Sequence, residues 1–478
     1  MENHNPGNMF MEQGAFVIVP KSGLQHLCRT QMLYKDPINS QYLKKMKKHA
    51  TLFPALCAFG MIFLTACDSD DDGAPLTADR TLTIENVLDV KPLVQSGTFA
   101  NTGDLPVYLP GESFSLRFSA GKGQTLSFVT MYGWSNDLFF APENPGISLY
   151  DNDGMPIEGD VSGQIRLWDN GTRINQHPGA EVIHPGTAES SPQPVTEIMG
   201  TDTQGNTYVS ASELMNVELH YEGNSVFTVT VTNTSGDTAN PTPFSPGVWA
   251  VSYIAGGELL DPAPLYQNGI PAENGITDVA ENGDPSALSG YTGNRTGIFT
   301  PLSPILVVIY NGISNPVYEI GAYDAEHGLS QLAQTGDADT LSDYLQGLQG
   351  VKSVYVLSAE GSDILLPGND GQPGGKVSQQ LRVSDGDKIA MATMYGFSND
   401  WFFATKGDID AAQTGDISSR FGLFDNGTAV DQFPGAGHNQ VNLGGVISPE
   451  NKPISEVPNP NPFTTLPATE LIIKATIQ

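Results

Sequence analysis

The sequence predicts an all-β protein built from two antiparallel β-sandwich domains, with short helices in the second. Runs of β-branched and aromatic residues are short and are separated by turn formers, which include 52 Gly and 34 Pro. In residues 227–233, Phe, Val and Val alternate with Thr, which is typical of a strand with one buried face. The segment TMYGWSNDLFFA (130–141) returns as TMYGFSNDWFFA (393–404), which indicates that a whole domain is duplicated.

The N-terminal region resembles a bacterial lipoprotein signal. Residues 46–66 begin with two lysines, continue with an apolar run and end in Leu-Thr-Ala, directly before Cys67. That order resembles a lipobox, so we expect a signal peptide over 46–66 and a lipid on Cys67. A transmembrane helix is the less favoured alternative, since the apolar run is short and contains Pro54.

The segments on either side of this signal follow from the same interpretation. Residues 1–45 are polar and patternless, and we expect them to be a mis-called N-terminal extension upstream of Met46. Residues 67–79 contain Asp-Ser-Asp-Asp-Asp-Gly and are predicted to be an acidic tether. The expected location is therefore the bacterial cell envelope, with a lipid anchor in the membrane; whether that is the inner or the outer membrane stays open.

The charge balance excludes one class of partner. The chain has 22 Lys and Arg against 53 Asp and Glu, a net charge of −31, so a nucleic-acid backbone would be repelled. Divalent cations remain suitable counter-ions. The three cysteines are Cys28, Cys57 and Cys67, and the chain beyond them can form neither a disulfide nor a thiolate metal site.

The duplication suggests the domain boundaries. We predict one sandwich over 80–235, a repeat-type insert over 236–301 and a second sandwich over 302–478. The insert is proposed because FSPGVWAV (244–251) and GITDVAENGDPSAL (275–288) match segments at the head of the second sandwich. The first sandwich is predicted to lack such a head, and residues 227–233 are an alternative first strand for the second sandwich.

Two acidic positions recur in both copies. Asp137 and Asp400 follow an apolar strand within Ser-Asn-Asp, and Asp169 and Asp425 begin Asp-Asn-Gly-Thr turns. Carboxylates and turn carbonyls are the hard oxygen donors that calcium prefers, so these four residues are predicted calcium ligands. Two alternatives stay open: each Asp could only stabilise a turn, or a pair could serve as glycosidase carboxylates.

No catalytic motif supports an enzyme. The sequence contains no HExxH, no GxSxG and no Gly-rich phosphate loop. We therefore expect a binding protein. A carbohydrate-binding module is the alternative function, because Trp134, Trp168 and Trp401 could stack on sugars if they were exposed.

The repeated motifs resemble the spondin domain, a module also found in F-spondin. Ser-Asn-Asp-Leu-Phe-Phe and Ser-Asn-Asp-Trp-Phe-Phe are similar to that family's Ser-Pro-Asp-Trp-Phe segment, and the two Asp-Asn-Gly-Thr turns are similar to its Asp-Ala-Gly-Thr segment. The helical stretch at 328–341 is similar to a segment that the family places upstream. The sequence departs from the family at Asn136 and Asn399, where Pro is usual.

The resemblance implies a calcium-binding β-sandwich related to calcium-dependent lipid-binding domains, with a role in adhesion or extracellular matrix contact. Carried over, Asp137 and Asp400 match the acid of the first segment, and Asp169 and Asp425 match the acid of the turn. The implied partners are calcium and an extracellular matrix; a surface polysaccharide is the expected partner under the carbohydrate-binding alternative.

Overall fold

The computed structural model describes residues 77–369 and 371–478, which lie in one compact unit. The predicted N-terminal extension, the signal peptide and Cys67 lie outside the described residues. The predicted tether ends earlier than residue 79, because Thr77 and Ala78 already pair with Ser384 and Val383 in a sheet. Within the described ranges, no helix is long and apolar enough to cross a membrane.

The first half of the structure contains fourteen strands. In chain order they are β1 (Thr77–Asn86), β2 (Leu93–Phe99), β3 (Ser113–Ser119), β4 (Thr125–Tyr132), β5 (Leu138–Pro142), β6 (Ile147–Ser148), β7 (Gly159–Asp160), β8 (Ile165–Asp169), β9 (Thr196–Glu197), β10 (Met215–Gly223), β11 (Val226–Asn233), β12 (Phe244–Ser252), β13 (Ile254–Ala255) and β14 (Glu258–Leu259). The second half adds β15 (Ile305–Tyr310), β16 (Val351–Leu357), β17 (Lys376–Ser384), β18 (Lys388–Met394), β19 (Trp401–Thr405), β20 (Gly415–Asp416), β21 (Phe421–Asp425), β22 (Ser455–Glu456) and β23 (Ile473–Ile477).

The helices are short. They are α1 (Ala211–Leu214), α2 (Ile276–Asn282), α3 (Ser286–Arg295), α4 (Leu329–Thr335) and α5 (Asp339–Gln346). Single 3₁₀ turns occur at Ser162–Gln164, Ser235–Asp237, Ser418–Arg420, Val441–Leu443 and Thr469–Leu471.

Apart from the separate β13-β14 hairpin, the strands form two sandwiches, each made of two antiparallel sheets. In the first, the sheet β2-β12-β4-β5-β8-β9, with β6 beside β4, packs on the sheet β3-β11-β10-β7. In the second, the sheet β16-β15-β18-β19-β21-β22 packs on the sheet β17-β1-β23-β20. The predicted all-β class and the antiparallel sandwiches are confirmed.

The core follows from the strand patterns. Along β11 the residues Phe227, Val229 and Val231 are buried and the intervening threonines are half-buried, as the alternation predicts. Across the first sandwich, the ring of Phe99 on β2 stacks on Phe114 of β3 with centroids 4.1 Å apart. Aromatic pairs of this kind stabilise a core by about 0.5–1.5 kcal/mol beyond the area they bury.

The predicted insert is not a separate region. Strand β12 lies between β2 and β4 of the first sandwich, and α2 buries Ile276 and Val279 against that sheet. In the second sandwich, α4 and α5 cover the equivalent sheet through Leu332 and Leu341. The prediction that the first sandwich lacks this head was therefore wrong, because its strand and helices follow the domain in the chain instead of preceding it.

The first strand of the second sandwich is β1, which lies far from the rest of that domain in sequence. It pairs with β17 on one side and β23 on the other. Residues 227–233, the alternative considered from sequence, instead pair with β3 and β10 in the first sandwich. All the strands of the first sandwich are thus inserted between β1 and β15, the first two strands of the second.

A shared asparagine supports the equivalence of β1 and β11. Asn86 ends β1 and donates from Nδ2 to the carbonyl oxygen of Thr300 at 3.0 Å. Asn233 ends β11 and donates in the same way to the carbonyl oxygen of Thr242 at 2.8 Å. Both asparagines are buried, and each fixes the chain that leads into the next strand of its own sandwich.

Candidate metal centre

Each sandwich brings its two predicted aspartates together at adjacent strand ends. Asp400 directly precedes β19 and Asp425 ends β21, and these strands pair so that Trp401 lies opposite Asp425. In the first sandwich Asp137 precedes β5, Asp169 ends β8, and Leu138 lies opposite Asp169. The four residues predicted from sequence therefore form two equivalent pairs, which we call the first centre (Asp137, Asp169) and the second centre (Asp400, Asp425).

Among the described residues, the Asp400 carboxylate, directly before β19, has hydrogen-bond partners for only one of its two oxygens. Asp400 is fully buried, and its Oδ2 accepts hydrogen bonds from the backbone nitrogens of Thr428 and Ala429 at 2.6 and 2.9 Å. Its Oδ1 is buried and has no hydrogen-bond partner within the described part of the chain. A buried carboxylate oxygen without a partner is costly, so it marks a position where a cation would stabilise the fold.

The first centre repeats this arrangement. Asp137 is also fully buried, and its Oδ2 accepts from the backbone nitrogens of Thr172 and Arg173 at 3.0 and 2.8 Å. Its Oδ1 has no partner among residues 77–369 and 371–478. The same oxygen is thus left free in both sandwiches.

The turn aspartates also stabilise their turns. Asp169 Oδ1 accepts from the backbone nitrogen of Gly171, and Asp425 Oδ1 from that of Gly427, both at 2.7 Å. Both glycines have positive φ, and a Cβ on Gly427 would lie 2.3 Å from the carbonyl oxygen of Lys452, so only glycine fits there. The turn interpretation is correct for Oδ1 of each aspartate; Oδ2 of Asp169 accepts from Asn175 Nδ2 at 2.7 Å.

A third acid completes the second centre, and the sequence reasoning missed it. One carboxylate oxygen each from Asp400, Asp425 and Asp431 lie within 4.8 Å of one another. The signal was present in the repeat, because Asp431 follows the second Asp-Asn-Gly-Thr turn in Val-Asp-Gln-Phe-Pro, whereas the first copy has Asn175 in Ile-Asn-Gln-His-Pro. A comparison of the two copies position by position would have singled it out.

Burial and mutual repulsion disfavour the charged forms of these acids. Burial, with a smaller contribution from Asp425, raises the pKa of Asp400 to about 7. Burial, followed by the charges of Asp425 and Asp400, raises the pKa of Asp431 to about 8. In the first centre, burial and then Asp169 raise the pKa of Asp137 to about 7. A bound divalent cation would offset both the cost of burying the charged carboxylates and their mutual repulsion.

The donor atoms at both centres are of the type that calcium prefers. Carboxylate oxygens are hard ligands, and calcium accepts 6–8 oxygens in flexible geometry. The described residues supply no thiolate, and the only group of three acids close enough to share an ion in those ranges is the one around Asp400. Full burial of Asp137 and Asp400 argues against the glycosidase alternative, in which both carboxylates must reach a sugar.

The tryptophans considered for sugar stacking lie mainly in the interior. Trp168 and Trp401 are buried, and Trp134 is half-buried against the core. Trp168 and Trp401 therefore cannot act as stacking platforms.

No protein-family model matches the sequence, and a search of curated proteins found no match either.

Proposed function

We propose that this protein binds calcium at the two centres and uses the ordered loops in adhesion or extracellular matrix contact. The observation that carries the proposal is the second centre, where three carboxylates converge and the buried Asp400 Oδ1 has no partner among the described residues. Nothing in this arrangement requires a catalytic step.

The anchor and the binding role rest on sequence. The lipobox-like segment before Cys67 supports a lipid-anchored envelope protein, and the spondin resemblance supports contact with an extracellular matrix. Calcium would fix the loops after β18 and β21, so the surface presented to a partner would depend on the ion.

The test is calcium-dependent stability of the wild type and of Asp400→Asn. The variant keeps an oxygen for the hydrogen bonds from Thr428 and Ala429, and it places an amide where Oδ1 has no partner. At calcium about 100-fold above its dissociation constant, the wild type should gain roughly 2.7 kcal/mol of stability. The variant should lose the part of this gain that comes from the second centre.

Asp343→Asn is the matched control, since Asp343 is an exposed acid on α5 of the same sandwich. Its calcium-dependent rise in Tm should equal that of the wild type. If calcium at millimolar levels leaves the wild-type Tm unchanged, the proposal is wrong. Magnesium at the same concentration should stabilise less, because it demands a tighter octahedral site.

One observation favours carbohydrate binding as a second candidate. An open groove between β2 and β3 is lined by Trp249 together with polar side chains, among them Asn101, Ser115 and Arg117. An aromatic face with polar neighbours suits a sugar ring. Glycan binding that survives chelator and is lost in Trp249→Ala would support this candidate over the calcium-dependent one.

A further inference from the structure

We propose that the two centres differ in calcium affinity and fill in order, the second before the first, and that the exchange of Asn175 for Asp431 sets this order. The inference rests on the proposed calcium function. It concerns the residue that sets the calcium affinity of each centre, Asn175 in the first and Asp431 in the second. The repeat motifs and the shared aspartates do not indicate this role.

The second centre brings three carboxyl groups together, and the neighbouring cation is Lys452, which pairs with Glu450. Asp431 occupies the position after the turn, and its carboxylate lies with those of Asp400 and Asp425. Asp400 contributes a fully buried oxygen, Oδ1, that no described residue contacts by a hydrogen bond. The pocket is strongly electronegative, because it contains three carboxyl groups and one of them, that of Asp400, has an oxygen without a hydrogen-bond partner among the described residues.

The first centre has two negative charges and an amide in place of the third. Asn175 donates from Nδ2 to Asp169 Oδ2 at 2.7 Å, so the oxygen that would face an ion is already hydrogen-bonded. Asn175 is 9% exposed, and its own Oδ1 has no partner in the described ranges. This centre can offer that neutral oxygen, but an ion must compete with the amide for Asp169.

The neighbouring charges do not reverse the order. Near the first centre, Glu281 of α2 is paired with Arg173 at 2.7 Å, and the second sandwich has the neutral Gln334 at the equivalent helix position. Near the second centre, Glu450 is paired with Lys452 at 2.6 Å. Glu189 and Asp202 add negative charge near Asp169, but among the described residues neither lies close enough to share an ion with Asp137 and Asp169. Each flanking pair is close to neutral, so the third carboxylate is the main difference among the groups that could contact an ion.

The expected difference in affinity follows from charge. One additional carboxylate in contact with a dication strengthens binding by direct Coulombic attraction, and part of that gain is lost to the desolvation of the carboxylate. We therefore expect the second centre to bind calcium at least about tenfold more tightly than the first. Titration of the wild type should show two phases, with one ion bound in each.

Two reciprocal substitutions test the assignment by calorimetric titration with calcium chloride. Asp431→Asn gives the second centre the residues of the first, so the tight phase should disappear and two weak ions should remain. Asn175→Asp gives the first centre the residues of the second, so the weak phase should tighten by about tenfold or more. The Tm of each variant in chelator establishes that it is folded.

Asp400→Asn and Asp137→Asn assign the phases independently. Loss of the tight phase in Asp400→Asn and of the weak phase in Asp137→Asn supports the order; the opposite pattern overturns it. Two indistinguishable sites in the wild type also overturn the order while leaving the calcium function intact. No calcium binding at all would instead reject the proposed function, so the two failures are distinguishable.

Discussion

Asn224 of the first sandwich donates a hydrogen bond from Nδ2 to the backbone carbonyl oxygen of Asp431 in the second, at 3.1 Å. Its Oδ1 accepts from Gln432 Nε2 at 2.9 Å, and the same nitrogen lies 2.9 Å from Ser225 Oγ. The hairpin between β10 and β11 therefore holds the loop that carries the third acid of the second centre. The second centre and the contact between the sandwiches share this segment.

Removal of the Asn224 side chain should lower the stability of the protein without introducing strain in the backbone of its turn. Asn224 has a φ of 50°, which glycine adopts freely. Asn224→Gly should lower the free energy of unfolding by about 1 kcal/mol, because two interdomain hydrogen bonds are lost. Urea unfolding monitored by circular dichroism measures this.

Asn274→Gly is the control for that experiment. Asn274 has a similar φ of 58° and an exposed side chain, so its replacement changes the backbone in the same way without touching the interface. Equal losses in the two variants would show that the contact of Asn224 with Asp431 contributes nothing.

The stability of the calcium-free protein should fall as the pH rises. The unfolded chain releases the protons of its aspartates near pH 3.9, whereas the folded chain keeps those of Asp137, Asp400 and Asp431 until about pH 7 to 8. Between these limits the folded state binds more protons, so its advantage is lost as the pH rises through the folded pKa values. Urea unfolding in chelator at several pH values measures the slope.

Calcium should reverse part of this trend, because it binds the deprotonated carboxylates. The calcium-dependent gain in Tm should therefore be larger at about pH 8 than at about pH 5. Asp400→Asn removes one of the titrating groups and should show a shallower slope in chelator. A slope identical to that of the wild type would mean that Asp400 does not titrate in this range.

Leu82 on β1 should stabilise the second sandwich, although it precedes the first in sequence. Its side chain is fully buried, and its backbone pairs with Gln379 and Ile477. Leu82→Ala should cost about 2–5 kcal/mol. Hydrogen exchange should accelerate in β17 and β23 before β10 and β11.

Glu85→Ala is the matched control on the same strand, since Glu85 is only half-buried. That substitution should change stability by less than about 0.5 kcal/mol. Faster exchange in β10 and β11 after Leu82→Ala would contradict the assignment of β1 to the second sandwich.

Replacement of Asn86 or of Asn233 by alanine should destabilise the protein to a similar extent, each in its own sandwich. Asn86→Ala removes the side-chain donor to the carbonyl oxygens of Thr300 and Leu365, and Asn233→Ala removes the side-chain donor to those of Tyr108 and Thr242. Each substitution should cost about 1–3 kcal/mol or more. Local opening, measured by hydrogen exchange, should appear around β15 for the first variant and around β12 for the second.

The sequence determined the local features. Alternation along residues 227–233 specified a strand with one buried face, and the repeated motifs specified two related domains. Asp137, Asp169, Asp400 and Asp425 could be placed at strand ends because a turn signal follows an apolar run within a few residues. These properties depend on neighbours in the chain, and a short window contains all the information they need.

The tertiary structure decided which copy each strand belongs to. Nothing in the pattern of β1 distinguishes it from β11, because any alternating strand can pair with either sandwich. Its partners, β17 and β23, lie hundreds of residues away, and only the packing of Leu82 and Asn86 against the second core selects them. The same reason places β12, α2 and α3 with the domain that precedes them.

The tertiary structure also placed the third acid, Asp431, in the second centre. Asp431 follows its turn by several residues, and no local pattern relates it to Asp400. Folding brings the two together because β19 and β21 are neighbours and the chain after β21 turns back over their ends. The sequence by itself therefore determined the strands, the repeat, two acids of each centre and the exchange of Asn175 for Asp431, whereas long-range pairing decided the interleaved domains and brought Asp431 to the second centre.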